Sequence, residues 1–437
     1  MWKYIRRISL DGFFRNVVVL ASGTIISQII ILIALPFITH LYSPSEYGVY
    51  SMYTSIISIM LMLVSFSYEN AITLPEEDHM ASSLLSLSLR ICVAVSVVGG
   101  VGVYFLAHPL SVWTKEADIG GYFIYFIISL LCAGFYQILN GWSVRKKYFR
   151  QLSRTKYTQS ITLVSSQLAL ARLLPGPSGL IIGDVLGRLG GLIPQWRLWR
   201  RDVKHQEIHV SWEDLRESAY RYRRFPQLSL ASNMLNSLGI YLPTILLAVF
   251  YGPQVAGWFA LSQRILGSPM TLITTSVTKV YLSESSEYML HARHKLYPLF
   301  IKTVRNIFLV GLAIIFVMVI LLPSMFSTLF GAEWANAGNY VRLLGIMYLS
   351  QFVANSVGST IDVMERQDLH LYREIARVLI VLGALLLSYY TGQSASTSIL
   401  VYGLASTIGY LIHLGLSWAA VQKYRYYAAE QEVEQGG

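Results

Sequence analysis

The chain has 437 residues, of which 13% are charged and 54% hydrophobic, with a net charge of +10. An ordinary soluble domain carries about 25% charged residues, and half that number cannot cover a water-exposed surface on a chain of this length. Hydrocarbon rewards an apolar exterior instead, which excludes a soluble enzyme or binding domain and predicts an all-α polytopic membrane protein.

In chain order, a basic start (Lys3, Arg6, Arg7, Arg15) leads into an apolar run from Val17 to Leu41. That run is too long for the apolar region of a secretory signal and lacks a small-residue cleavage pattern, so it reads as the first span. With about 20 residues needed per crossing, spans are predicted at 16–40, 48–74, 83–107, 121–142, 157–173 and 178–198. Six more follow at 226–250, 255–281, 300–322, 340–362, 374–391 and 396–421. The fifth is cut short by Arg172, Pro175 and Pro177. Cys92 and Cys132 lie in apolar runs and fit neither a disulfide framework nor a metal motif, so they are expected to be small packers.

The Lys/Arg distribution orients the bundle. Alternate connections, counted from the N-terminus, hold 27 basic residues, and the opposite ones hold only Lys115, Arg172 and Arg342. By the positive-inside rule both termini are cytoplasmic. The positive charge is then a topology signal that calls for no nucleic acid; Arg145-Lys146-Lys147 is its best-placed cluster for attracting anionic membrane lipid. The outward connections are short. The longest inward one, 199–224, reads as a cytoplasmic linker between residues 1–198 and 225–437. His205 and His209 share a helical face within it but lie among charges, and no metal site is expected there.

Two segments repeat across that linker. Leu41-Tyr42-Ser43-Pro44-Ser45-Glu46-Tyr47-Gly48-Val49-Tyr50 aligns without gaps on Phe250-Tyr251-Gly252-Pro253-Gln254-Val255-Ala256-Gly257-Trp258-Phe259, with Tyr, Pro and Gly matching at a constant offset of 209. Each joins an odd span to an even one on the outward side, where Pro and Gly suit a tight turn. Six spans per half make the repeats parallel, an arrangement that places a central cavity between two pseudo-symmetric lobes.

These residues also carry a resemblance. Tyr42-Ser43-Pro44, Glu46-Tyr47-Gly48-Val49-Tyr50 and Tyr68-Glu69-Asn70-Ala71-Ile72-Thr73-Leu74-Pro75 resemble the N-terminal signature of polysaccharide flippases. Phe225-Pro226, Leu242-Pro243, Gly257-Trp258-Phe259-Ala260-Leu261-Ser262-Gln263-Arg264-Ile265, Pro269 and Leu272-Ile273 resemble the second block. The likeness runs from about residue 15 to 420 and is to the polysaccharide transporter branch (O-antigen and exopolysaccharide flippases) of the MOP superfamily. It implies translocation of undecaprenyl-pyrophosphate-linked oligosaccharide units across a bacterial cytoplasmic membrane by two six-helix lobes alternating about a central cavity. It implies no prosthetic group, H+ or Na+ entry as the driving step in some members, and other polysaccharide-assembly membrane proteins as partners.

Ionisable residues inside spans are functional candidates, because lipid makes them costly. A pyrophosphate calls for fixed, bidentate cations; Arg188 in the sixth span and Arg264 in the eighth are the first candidates. Arg90, nearer the cytoplasmic end of the third span, would receive the headgroup early or snorkel to the interface. Asp184 and Arg188 are four apart and pair on one helical face as the alternative to a cavity role. Gly183, Gly187 and Gly191 beside them predict close helix packing, which turns this stripe away from lipid. Glu69 and Asp184 are the carboxylates for ion coupling, against a structural role at a helix end. Asn233 and Asn236 line the cavity or bond across helices. Lys279, Asp362 and Glu365 read as interfacial, as do Tyr42, Tyr47, Tyr50, Tyr251 and Trp258 in an aromatic belt.

Two other functions compete. The same machine would serve a drug or another lipid headgroup. An enzyme that polymerises or transfers the lipid-linked sugar needs acid, base or nucleophile groups clustered in a substantial loop, and the outward loops hold only scattered Glu46, Asp118 and Glu333 with no Asp-x-Asp. A passive scaffold has no use for arginine at mid-membrane. Transport is the reading these residues favour.

Overall fold

The computed structural model describes residues 2–114, 119–206, 210–364, 367–422 and 424. Helices account for nearly all of them, and no strand occurs among the described residues. In order they are α1 (Trp2–Leu41), α2 (Pro44–Met60), α3 (Asp78–Thr114), α4 (Phe123–Arg145), α5 (Phe149–Leu170), α6 (Ser178–Gln206), α7 (Trp212–Arg221) and α8 (Leu230–Tyr251). There follow α9 (Pro253–His291), α10 (Leu296–Ile320), α11 (Leu322–Phe330), α12 (Ala335–Ser356), α13 (Thr360–Val363), α14 (Gln367–Tyr390) and α15 (Ala395–Gln422).

Each predicted span falls on one of the helices of 17 residues or more, of which there are twelve among the described residues. Six of these (α1, α3, α4, α8, α10 and α15) are long and apolar enough to cross a membrane on composition alone. Several of the others put polar groups on faces that neighbouring helices cover. The fifth span, which looked truncated, is a full 22-residue helix because it begins earlier, at Phe149. At 1.5 Å per residue it is about 33 Å long. Lipid-facing surfaces show as stripes that water would not permit: Ile25, Ile29, Ile33 and Phe37, each four apart on α1, are 37–64% exposed. Leu309, Leu312, Phe316 and Ile320 do the same on α10.

The chain forms two compact units, Met1–Gly257 and Trp258–Gly437. In the first, α5 packs against α1 and α6, α4 against α3 and α6, α2 against α8, and α7 against α3. In the second, α12 packs against α10, α11 and α15, and α14 lies along α15. Cys92 and Cys132 are both free and buried, as packers should be.

The sequence repeat is realised in space. A Cβ on Gly48 would lie 1.8 Å from the carbonyl oxygen of Pro253, and one on Gly257 would lie 1.9 Å from that of Pro44. The contact is reciprocal at the offset of 209: each copy's proline carbonyl occupies the space that the other copy's glycine leaves open. The turns before the two prolines differ. Ser43 closes a capping box with Glu46, its N–H donating to Oε2 at 2.7 Å, whereas Gly252 adopts φ +90°, open to glycine at little cost.

Four expectations change. The stretch 48–74 is not one helix: α2 stops at Met60, and Phe66 and Ser67 (φ 50° and 63°) turn the chain into a short 3-10 turn over Tyr68–Ala71. Apolar composition continues through 61–66 and hides the break. Tyr42, Tyr47 and Tyr50 are 3%, 5% and 9% exposed, so they are core residues and not belt residues. Tyr42 donates to the Gln167 carbonyl at 2.8 Å, and Trp258 donates its indole N–H to the Glu333 carbonyl at 2.8 Å. Arg145 and Lys146 are not free for lipid. They hold Asp78 at 3.0 and 2.5 Å, and Arg145 also donates to the carbonyls of Pro75 and Glu76, clasping the connection before α3.

The connection expected as a linker carries α7, whose Ser211/Asp214 capping box starts it. It is fastened to α3: Asp214 lies 3.5 Å from His79, and the Ser218 hydroxyl meets Met80 Sδ at 3.0 Å. His209 and the side chain of His205 lie outside the described residues, as do Lys115, Asp118 and Glu365. Asp362 and Lys279 are exposed.

Gly48→Ala and Gly257→Ala should each cost about 1–3 kcal/mol through overpacking against backbone. Gly383→Ala and Gly415→Ala, with nothing within 4 Å of the added methyl, should be neutral or slightly stabilising. Thermal unfolding in one detergent would compare them. A second expectation concerns α7. The Ser211 N–H and hydroxyl, both donating to Asp214 at 2.7 Å, hold that carboxyl below the ordinary carboxylate range, with His79 adding to the effect. A depressed folded value means the cap is fully effective above the unfolded value of about 3.9 and is lost as pH falls through the folded one. Protection of the amides in the first turn of α7, relative to their intrinsic exchange rates, should therefore fall below that range, and Asp214→Asn should already be less protected at neutral pH.

Candidate functional site

Lipid makes an interior charge expensive unless it is matched, so the matched charges mark where to look. In the first unit they are organised by α6. Its glycines face α5: a Cβ on Gly183 would come within 2.5 Å of Gln167 Cγ, and one on Gly187 within 2.8 Å of Leu163 Cβ. Seating that stripe turns Asp184 and Arg188 toward α4 and α2. Arg188 Nε donates to Asp184 Oδ2 at 2.5 Å, with the two side chains 15% and 10% exposed. Ser129 Oγ of α4 donates to the same carboxylate oxygen at 3.4 Å, and the Tyr53 hydroxyl of α2 lies 2.9 Å from Ser129 Oγ and from the Tyr125 carbonyl. A polar relay thus crosses three helices and ends on an ion pair. The pairing anticipated from the i, i+4 spacing is present.

Glu69 is apart from this relay. The left-handed turn at Phe66 and Ser67 brings it inward, 8% exposed, where it accepts from Ser65 Oγ and, at 2.8 Å, from Gln137 Nε2 of α4. Two consecutive non-glycine residues in that conformation cost about 1–2 kcal/mol each, which the buried carboxylate contacts offset. Arg90 is exposed and stacks 4.6 Å over the ring of Trp212 at the start of α7, a cation–π contact at the end of the bundle. Asn233 and Asn236 occupy exposed positions on α8. Arg264, in the second unit on α9, is half-buried, and its Nε is shielded from solvent with no hydrogen-bond partner among the described residues. A buried donor left open in this way can be met by a water, an ion or a ligand.

The second unit contains a charge group that the residue pattern did not bring forward. On α14, Arg373 donates to Glu374, and Arg377 Nη2 lies 2.6 Å from Glu374 Oε2. Across to α15, Arg373 Nη1 lies 2.8 Å from His413 Nε2, and Arg377 stands 6.0 Å over the Tyr410 ring. Glu374 and His413 are each 3% exposed and Arg377 9%. The two arginines count among the basic residues of the inward connection that leads into the eleventh apolar run, Arg373 just before its start and Arg377 just after it. The available signal was His413, a lone ionisable residue amid the apolar Leu411-Ile412 and Leu414-Gly415-Leu416 of the last span. Among the described residues no group of three or more His, Cys, Asp or Glu could hold a metal.

The ion pair on α6 yields a stability test. Asp184→Ala strands Arg188 in the bundle and should cost about 3–5 kcal/mol, whereas replacing both residues with methionine should recover most of that loss. The melting temperatures of the single and double variants would show it.

Residues 37–339 match the family model described as "Polysaccharide biosynthesis protein". The teichuronic acid biosynthesis protein TuaB of Bacillus subtilis is 23% identical over 274 residues, 61% of this chain and 54% of TuaB, so the chain spans about half the length of that curated relative. Among solved structures, an inward-facing multidrug resistance transporter of the MATE family, in the MOP superfamily, superposes with a TM-score of 0.72 at 14% identity, covering 93% of this chain and 94% of that one. The lipid II flippase MurJ, inward closed, superposes with a TM-score of 0.69 at 12% identity over 95% and 91% of the two chains. At these identities the likeness is one of fold.

Proposed function

The chain belongs to the polysaccharide biosynthesis protein family, and on that premise we propose that it is a flippase for undecaprenyl-pyrophosphate-linked oligosaccharide units of a bacterial surface polysaccharide. In this reading it sits in the cytoplasmic membrane with both termini inside and carries its cargo from the inner to the outer leaflet. Two six-helix lobes, 1–198 and 225–437 joined by 199–224, alternate access to a cavity. It acts as a transporter and not as an enzyme. Glu46, the carboxylate nearest the outward end of the first turn, is spent on a helix cap and is unavailable for chemistry there.

The observation that carries the reading is Arg264. A guanidinium inside a span, whose shielded Nε–H has no acceptor among the described residues, suits a phosphate oxygen better than any apolar cargo. Arg188 is a weaker anion ligand, because Asp184 already neutralises it. It suits a positioning role through the Ser129–Tyr53 relay. The flippase-like fold and the teichuronic acid relative support a lipid-linked glycan as cargo.

Flipping of a fluorescent undecaprenyl-pyrophosphate oligosaccharide in proteoliposomes, read by lectin access to the far leaflet, tests this. Loss of a charge-assisted hydrogen bond of about 1.5–3 kcal/mol predicts a drop of roughly tenfold or more in Arg264→Ala. Arg188→Ala should recover part of its own loss when combined with Asp184→Ala. Native protein that gives no access above empty liposomes, across several glycans and imposed ion gradients, would sink the reading.

A further inference from the structure

The group on α14 and α15 has a feature that fixes a protonation state. A guanidinium can only donate, so the 2.8 Å contact between Arg373 Nη1 and His413 Nε2 requires a lone pair on Nε2. His413 is therefore neutral in this conformation, with its ring proton on Nδ1. The lone pair that accepts from Arg373 is the one a proton would take.

We propose that His413 Nε2 is a proton-binding site for which the Arg373 guanidinium and a proton compete. In the unprotonated state Arg373 occupies the lone pair. Uptake of one proton forms an Nε2–H bond and makes the ring an imidazolium, and the Arg373 N–H loses its acceptor and must withdraw. Glu374, already between the two arginines, is the carboxylate positioned to receive the new cation. Because Arg373 is on α14 and His413 on α15, exchanging one for the other changes a contact between helices. Proton occupancy would thus be read out as helix packing.

Glycines adjoin the group on two sides. A Cβ at Gly358 would lie 3.2 Å from His413 Cε1, and one at Gly409 would lie 3.1 Å from Arg377 Cγ. The titratable groups nearest the pair are Glu374 and Arg377 on α14 and Tyr410 on α15, with Tyr402 on α15 and Tyr348 on α12 adjoining Tyr410 in turn. Asp362 on α13, Arg342 on α12 and Lys302 and Arg305 on α10 occupy exposed positions. Two arginines and one glutamate leave a net positive charge with His413 neutral. A second positive charge is tolerable only if Arg373 moves away. The use of this site to drive transport rests on the flippase reading, whereas the proton site does not.

The first experiment needs no cargo. The full chain, labelled with 15N-histidine and held in nanodiscs, is followed by NMR across a pH series, and His413→Gln identifies the His413 signals by difference among the nine histidines. Glutamine keeps an acceptor for Arg373 but takes no proton. The expected result is an Nδ1-protonated neutral ring near neutral pH that converts to imidazolium on acidification. Arg373→Met should move that conversion to higher pH by about one unit or more, since a neighbouring like charge is removed. An Nε2-protonated neutral ring, a ring that does not titrate, or a midpoint unmoved by Arg373→Met would each overturn the proposal.

The second readout is flipping with and without an imposed pH gradient. His413→Gln should abolish the response of flipping to the gradient; a retained response overturns the coupling role. Native chain that flips nothing counts against the flippase reading while the NMR result still decides the proton site.

Discussion

Hydrocarbon offers no water to a buried polar group, and the internal chemistry of this protein follows from that one scarcity. Three of its interior charged groups find their first partner close along the chain. Asp184 and Arg188 are one helical turn apart, Arg377 and Glu374 three residues apart, and Glu69 accepts from Ser65 four residues back. Each pairing can form as its own segment folds, before helices meet. What remains to be satisfied is then offered to a neighbouring helix: Ser129 to Asp184, Gln137 to Glu69, His413 to Arg373. These second contacts tie helices together through single hydrogen bonds that can be exchanged at modest cost.

That division of labour separates two kinds of interior cation. Arg188 is neutralised within its helix and tied into a relay, so it contributes shape and position. Arg264 has a shielded Nε with no acceptor among the described residues, so that N–H is left open. An anion bound inside such a protein would need the second kind in small number, because a fully paired group offers it no charge and a strongly charged one would not release it. Arg90 is neither kind, since it is stacked on Trp212 outside the interior.

Twenty-residue apolar runs need no partner to be recognised, which is why the helices were legible and the fifth needed only an earlier start. The break after Met60 was not legible, because Leu61-Met62-Leu63-Val64 is as apolar as the helix before it and the turn is set by backbone conformation at Phe66 and Ser67. The Asp184–Arg188 pair could be read because its partners are four apart. The Arg373–His413 contact joins residues 40 apart through packing that no local pattern encodes. Tyr42 and Tyr50 were mistaken for interfacial anchors for a related reason. Position near a span end does not reveal that another helix covers the ring. The Ser211–Asp214 box, by contrast, is written in the sequence as a cap and announces α7 within what composition alone shows as a charged linker.

The crossing of Pro44–Gly48 with Pro253–Gly257 bears on how the chain can change over time. Next to the crossing the two copies of the repeat differ: Ser43 and Gly252 make the same turn in different ways. At the crossing each copy is the other's mould: a side chain gained by one glycine strikes the main chain of its counterpart, which no substitution there can remove. Ancestry by duplication would therefore stay visible longest at this point, protected by the mutual exclusion of two backbones.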